Sequence, residues 1–266
     1  MAAHEGQPDH VEFRQVGLAF GRRSVFEDLT LSIPARRITV VMGESGAGKS
    51  TLLRMIGGLQ RPDRGDVLVA GQSLADLEET GLGRVRRHLG MLFQNGALLD
   101  SMNVFENIAL PLREHTRQSE QEIRQHVHQR LTDVGLHDVD DLLPGELSGG
   151  MLRRAAFARA IVMAPEILLC DEPFSGLDPP NVSRIEALIV RLSQSLGLTV
   201  IVSSHHMASS LRMADQLCLL RNRSAIVGTP EDLASSPDST IANFIGEDGV
   251  SYLARLQDST PTGASS

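Results

Sequence analysis

One run of residues limits what this chain can be more than any other: Gly43-Glu44-Ser45-Gly46-Ala47-Gly48-Lys49-Ser50. It matches GxxxxGK[ST], a loop that wraps a polyphosphate. The spacing has a physical basis. Glycines let successive backbone N–H groups turn inward without Cβ clashes. The helix that follows presents the positive end of its dipole to the same anion. The lysine, Lys49, reaches the β- and γ-phosphates, and the serine hydroxyl, Ser50, meets Mg²⁺. Thr51 follows in the first turn of the helix. Such a loop needs a strand before it and a helix after it. Ile38-Thr39-Val40-Val41-Met42 reads as a strand buried on both faces, and residues 49–59 read as the helix.

The loop also needs an acidic partner strand, and Ile167-Leu168-Leu169-Cys170 runs into Asp171-Glu172. Asp171 suits the Mg²⁺ shell. Glu172, where the chain leaves the strand, suits a general base for an attacking water. Beyond it the pattern alternates: a helix over 182–196 stopped by Gly197, a strand over 199–203, a helix near 207–214 and a strand over 216–220. Alternation of this kind predicts a parallel sheet with helices on its faces. Residues 11–16 and 25–33 flank a Gly21-Arg22-Arg23 turn and read as an antiparallel element with one wet face, with another short strand over 67–70. Residues 103–163 read as mainly helical. Ser119-x-x-Glu122 is a capping box, Ile123, Val127, Leu131 and Val134 form a helical stripe, and an Ala-rich helix covers 149–163. The expected fold is α/β: a RecA-like nucleotide-binding core with an N-terminal antiparallel β subdomain and a helical subdomain inserted at about 95–163. One domain is expected over 1–246, and a partly flexible tail over 247–266, frayed at its STPTGASS end.

The 266 residues carry a net charge of −8, and 41% are hydrophobic. A chain of this balance is a globular protein. It lacks the basic surplus of a duplex or RNA binder, so no nucleic-acid partner is expected. No apolar run approaches the roughly 20 residues that span a bilayer, and residues 1–10 do not read as a signal peptide. Cys170 and Cys218 sit in apolar runs, which fits buried thiols in a reducing compartment. The nine histidines lack zinc-site spacing; His126 and His128 fall on different faces of a helix and are expected to be solvated.

Leu147-Ser148-Gly149-Gly150-Met151 makes the reading specific. It is a second helix N-terminus built for an anion, with Ser148 as hydroxyl donor. It resembles the LSGGQ signature of ABC ATPases. That resemblance implies that Ser148, Gly149, Gly150 and Met151 act in trans: the signature of one subunit faces the phosphate loop of the other, and a head-to-tail homodimer holds ATP between them. Other family elements follow in order. Gln94 resembles the Q-loop glutamine that contacts Mg²⁺ and water and senses a membrane partner. Ser175-Gly176-Leu177-Asp178 resembles the D-loop, which places Asp178 at the dimer interface. His205 resembles the switch histidine at the γ-phosphate. Phe20 resembles the aromatic that stacks on adenine, although a strand core role also fits it. Met151 replaces the usual Gln, His206 the usual Asp, and Phe20 the commoner Tyr.

Residues 94–116 are similar to the ATP-binding subunits of Mla-type phospholipid transporters, which also tend to carry LSGGM. That similarity implies a peripheral ATPase on the cytoplasmic face of the bacterial inner membrane. Its partners would be an integral-membrane permease and a lipid-binding MCE protein. The SGLD loop departs from this subfamily, which often has Gln for Leu. The rivals are another ABC importer or a lipoprotein-release ATPase, a DNA-directed ABC ATPase, and an ATP binder without turnover. The short insertion and acidic charge oppose the third, and an intact Glu172 and His205 oppose the last. In the helical stretch, Ala97, Leu98, Leu99, Met102 and Phe105 are the candidates for a permease-facing surface.

Overall fold

The computed structural model describes residues 9–94 and 96–259. In chain order the elements are β1 (Asp9–Phe20), β2 (Arg23–Pro34), β3 (Ile38–Gly43), α1 (Lys49–Ile56), β4 (Arg64–Val69), β5 (Gln72–Ser73), α2 (Glu79–Arg86) and β6 (Leu89–Leu92). Helices α3 (Val104–His115), α4 (Glu120–Asp133) and α5 (Gly149–Ile161) follow. The chain then runs through β7 (Ile167–Asp171), α6 (Pro179–Leu196), β8 (Thr199–Ser203), α7 (Met207–Met213), β9 (Gln216–Arg221), β10 (Ser224–Gly228), α8 (Pro230–Ala234) and α9 (Ser239–Ser259).

Strands that read as continuous apolar runs form the centre. β3, β7 and β8 are buried at every position. They lie in a six-stranded sheet of order β10-β9-β3-β8-β7-β6, in which only the β9–β10 pair is antiparallel. Successive side chains alternate between its two faces. Val41, Leu169, Ile201 and Cys218 join a core with α1 and the antiparallel sheet β2-β1-β4-β5. Val40, Met42, Leu168, Cys170, Val200 and Val202 join the core on the other face, shared with α5 and α6. Both cysteines are buried, and burial pushes their thiols up, that of Cys218 to about 12.

The helical stretch has its own logic. The capping box at Ser119 is present, and Ile123, Val127, Leu131 and Val134 are all buried. His126 and His128 are exposed, as their positions on α4 predict. Phe105 is not part of the surface expected of it. It is buried against the helical core, with the Arg124 guanidinium 5.0 Å above its ring. Ala97 and Leu99 are exposed, while Leu98 and Met102 are half-buried.

Three further differences concern elements without an obvious pattern. β6 and α2 bridge the antiparallel sheet to the helices, and β10 closes the sheet edge. α9 runs from Ser239 to Ser259 with a kink at Gly246 (φ 57°, ψ −145°), so residues 247–259 of the expected tail are helical. Its anchors are Ile241 and Ile245, which share a core with Leu233. Residues 260–266 of the STPTGASS end lie outside the described residues. Among the described residues no helix is long and apolar enough to cross a membrane.

Candidate nucleotide site

The phosphate loop leaves the end of β3 and enters α1. Gly43, Gly46 and Gly48 all have positive φ, and two of them also permit close packing. A Cβ on Gly48 would lie 2.6 Å from the Phe26 ring, and one on Gly43 would lie 2.8 Å from the Leu220 carbonyl. No side chain caps the N-terminus of α1, so its first N–H groups remain available to an anion. Lys49 folds back over the loop, donating from Nζ to the carbonyls of Gly43 (2.9 Å) and Glu44 (3.3 Å). Gly43, Glu44, Ser45 and Lys49 line a cavity of about 380 Å³, with Glu172 and His205 on its far side.

Sheet order brings Glu172 to this cavity and Asp171 to Ser50 at the start of α1. β8 lies between β3 and β7, with Asp171 in register with Ser203. The Ser203 hydroxyl donates to Asp171 Oδ1 (2.6 Å) and accepts from the Glu172 N–H (2.9 Å). Ser50 Oγ donates to the same Asp171 oxygen (2.9 Å). A hydroxyl and a carboxylate so close are hard oxygen donors. That set fits Mg²⁺, which binds through one or two protein oxygens plus substrate phosphates and water. Glu172 adopts φ 48°, a strained position for a residue with a side chain. One of its oxygens lies 2.7 Å from His205 Nδ1 and the other 3.8 Å from Lys49 Nζ.

The remaining expected residues are placed around this centre. Phe20 is 51% exposed, so it is not a strand core residue. It ends the hairpin opposite Arg23, whose guanidinium donates to the Gly46 carbonyl (2.8 Å), so Arg23 ties the end of the hairpin to the phosphate loop. Gln94 Nε2 donates to Ser175 Oγ at 3.5 Å rather than to Ser50 or Asp171. Ser148 caps α5, accepting from Met151 N–H (3.3 Å). None of the residues 148–151 lines the cavity above Lys49, and Met151 packs partly against the core. Asp178 precedes α6 and accepts from Asn181 (2.5 Å).

The structure adds residues that the sequence left unmarked. Arg153, buried in α5, donates to the Gln94 carbonyl (2.5 Å), the Phe93 carbonyl (3.4 Å) and the Ser175 carbonyl (3.1 Å). It ties the segments bearing Gln94 and Ser175 to the helix that begins at Ser148. Its position three and four residues from Ala156 and Phe157, on a buried face, was the available signal. Asn107 does the same for the preceding loop, with bonds to Leu99, Met102 and Asn103. Met207 and Phe244 complete the cavity wall.

The sequence profile described as "ABC transporter" matches residues 26–175. The intermembrane phospholipid transport system ATP-binding protein MlaF of Escherichia coli K12 is 41% identical over 241 residues, 90% of this chain and 89% of that one. The probable ribonucleotide transport ATP-binding protein mkl of Mycobacterium tuberculosis is 39% identical over 247 residues, 92% of this chain and 69% of that one. Among solved structures, the dimeric post-hydrolysis state of the ATP-binding cassette MJ0796 bound to ADP and Pi is similar. Its TM-score is 0.76 at 29% identity, over 83% of this chain and 98% of that one.

Proposed function

We propose, from the premise that the chain belongs to the ABC transporter family and is an ATPase, that it drives phospholipid transport between membranes as a homodimer beneath a membrane permease. The observation that carries the cargo is the 41% identity, over nine-tenths of the chain, to a protein named for intermembrane phospholipid transport. The 94–116 segment, similar to Mla-type ATPases, supports the same reading.

The chemistry follows from the cavity. The phosphate loop and Lys49 hold the β- and γ-phosphates, with Phe20 beside them for the adenine. Ser50 and Asp171, with Gln94 nearby, would hold Mg²⁺, which supplies charge neutralisation on the phosphates. Glu172 accepts a proton from water as the water oxygen bonds to the γ-phosphorus and the bond to the β,γ-bridging oxygen breaks. ADP and phosphate leave, and the proton passes from Glu172 to solvent. His205 orients Glu172 and faces the γ-phosphate. Ser148 and its neighbours serve the partner's nucleotide, so closure and reopening of the dimer follow binding and hydrolysis. The exposed side chains around Gln94, chiefly Phe93 and Leu99, pass that motion to the permease. This chain would sit at the cytoplasmic face of the inner membrane, held there by the permease, and a lipid-binding MCE protein would complete the assembly.

The test is complementation of a deletion strain. Lys49→Ala should fail as the empty vector does, leaving phospholipid misplaced at the outer surface and the cells sensitive to detergent. Normal lipid placement in the deletion strain, with lost uptake of a ribonucleotide or another small solute, would move the cargo to the rival reading.

A further inference from the structure

His206 follows the residue that grips Glu172, and the mechanism above leaves it without a task. Its backbone is fixed on both sides. Its N–H donates to Ser204 Oγ (2.9 Å), and its carbonyl accepts from the Ser210 N–H (3.0 Å) and hydroxyl (2.7 Å) at the start of α7. Its half-buried ring sits between two others. The Phe174 ring meets it edge to face, with centroids 5.7 Å apart at 74°, and the His205 ring lies 4.7 Å away at 39°.

Phe174 is fully buried and stands two residues after Glu172 in the chain leaving β7. The contacts therefore close a circuit: Glu172 to His205, His205 to His206, His206 to Phe174, and Phe174 back to Glu172 through Pro173. The His205 side chain is 60% exposed. An exposed imidazole has little to hold its rotamer apart from Glu172 on one side and His206 on the other. We propose that His206 is a positioning residue for ATP hydrolysis, its ring braced on buried Phe174 and setting the orientation of His205 against Glu172. Burial and the adjacent His205 hold the His206 imidazole below its ordinary pKa, against the opposing pull of Glu172. That shift favours the uncharged ring in its contacts with Phe174 and His205.

The inference rests on the reading of Glu172 and His205 as the pair at the γ-phosphate. The experiment measures steady-state ATP hydrolysis by the full chain, with thermal melting as a fold check. The variants are His206→Ala, His206→Phe, His205→Ala and the double alanine variant. His206→Ala should lower kcat about two- to ten-fold, the range an aromatic pair contributes, with the KM for ATP nearly unchanged. His206→Phe, which keeps a ring between Phe174 and His205, should recover most of the rate. In the His205→Ala background the second substitution should cost nothing more, because His206 acts through His205. A parent-like rate in His206→Ala, no recovery in His206→Phe, or an undiminished loss in the double variant would overturn this proposal alone. A parent-like rate in His205→Ala would overturn the reading of the site beneath it as well.

Discussion

Replacing Arg153 with Met should loosen the site without touching a nucleotide contact. Arg153 is 9% exposed, and burial pushes the pKa of its guanidinium down. Its bonds go to backbone carbonyls, two of them at 2.5 and 3.1 Å and the third at 3.4 Å. A hydrogen bond from a charged donor contributes about 1.5–3 kcal/mol, so the two shorter ones contribute about 3–6 kcal/mol. Relief of the buried charge in the Met variant offsets part of this. A net loss of about 2–4 kcal/mol remains, in the range of broken buried networks. For a chain of this size each kcal/mol moves the melting temperature about 2–4 °C, so a fall of roughly 4–16 °C is expected. Hydrolysis should show a larger change in kcat than in KM, because Gln94 and Ser175 lose their common anchor. Arg153→Lys should be intermediate, since an ammonium keeps the charge but lacks the planar fork. Differential scanning fluorimetry beside a phosphate-release assay reads both effects. A melting point within about 1 °C of the parent, or an equal response to Lys and Met, would refute the argument.

Glu172→Gln keeps shape and removes the carboxylate proposed as the base, so hydrolysis should drop about 10²–10⁴-fold while ATP still binds; filter binding and phosphate release check the two halves. In mixed dimers, Lys49→Ala in one subunit with Ser148→Arg in the other should retain one working site. Both changes in one subunit should damage both sites; equal residual activities would refute the trans arrangement. Leu99→Glu, at a side chain 40% exposed, should abolish co-purification with the permease while nucleotide affinity stays at the parent value.

What the sequence made legible depended on distance along the chain. The strands at 38–42, 167–170, 199–203 and 216–220 announced themselves because both-face burial demands unbroken apolar residues. They lie side by side. The phosphate loop was legible because its chemistry is local: eight consecutive residues carry the glycines, the lysine and the hydroxyl. Residues whose partners are remote in sequence were not. Ser203 gains its role only because β8 lies against β7, which sets its hydroxyl on Asp171. Arg153 looked like one charge among several on an Ala-rich helix, and its carbonyl partners are fixed by loops from elsewhere. Phe105 belonged to an apolar run that reads equally well as surface or core, and packing against α4 decided it. α9 carries few anchors for its length and contains Gly246 and Gly249, which obscure any helical stripe.

The most direct test of the central claim places the full chain with its membrane permease in liposomes that carry a labelled phospholipid. ATP should drive the lipid to acceptor vesicles, and Glu172→Gln should stop the movement with the complex intact. Hydrolysis at the parent rate with no lipid moved, while a water-soluble solute crosses the same membrane in an ATP-dependent way, would contradict phospholipid as the cargo.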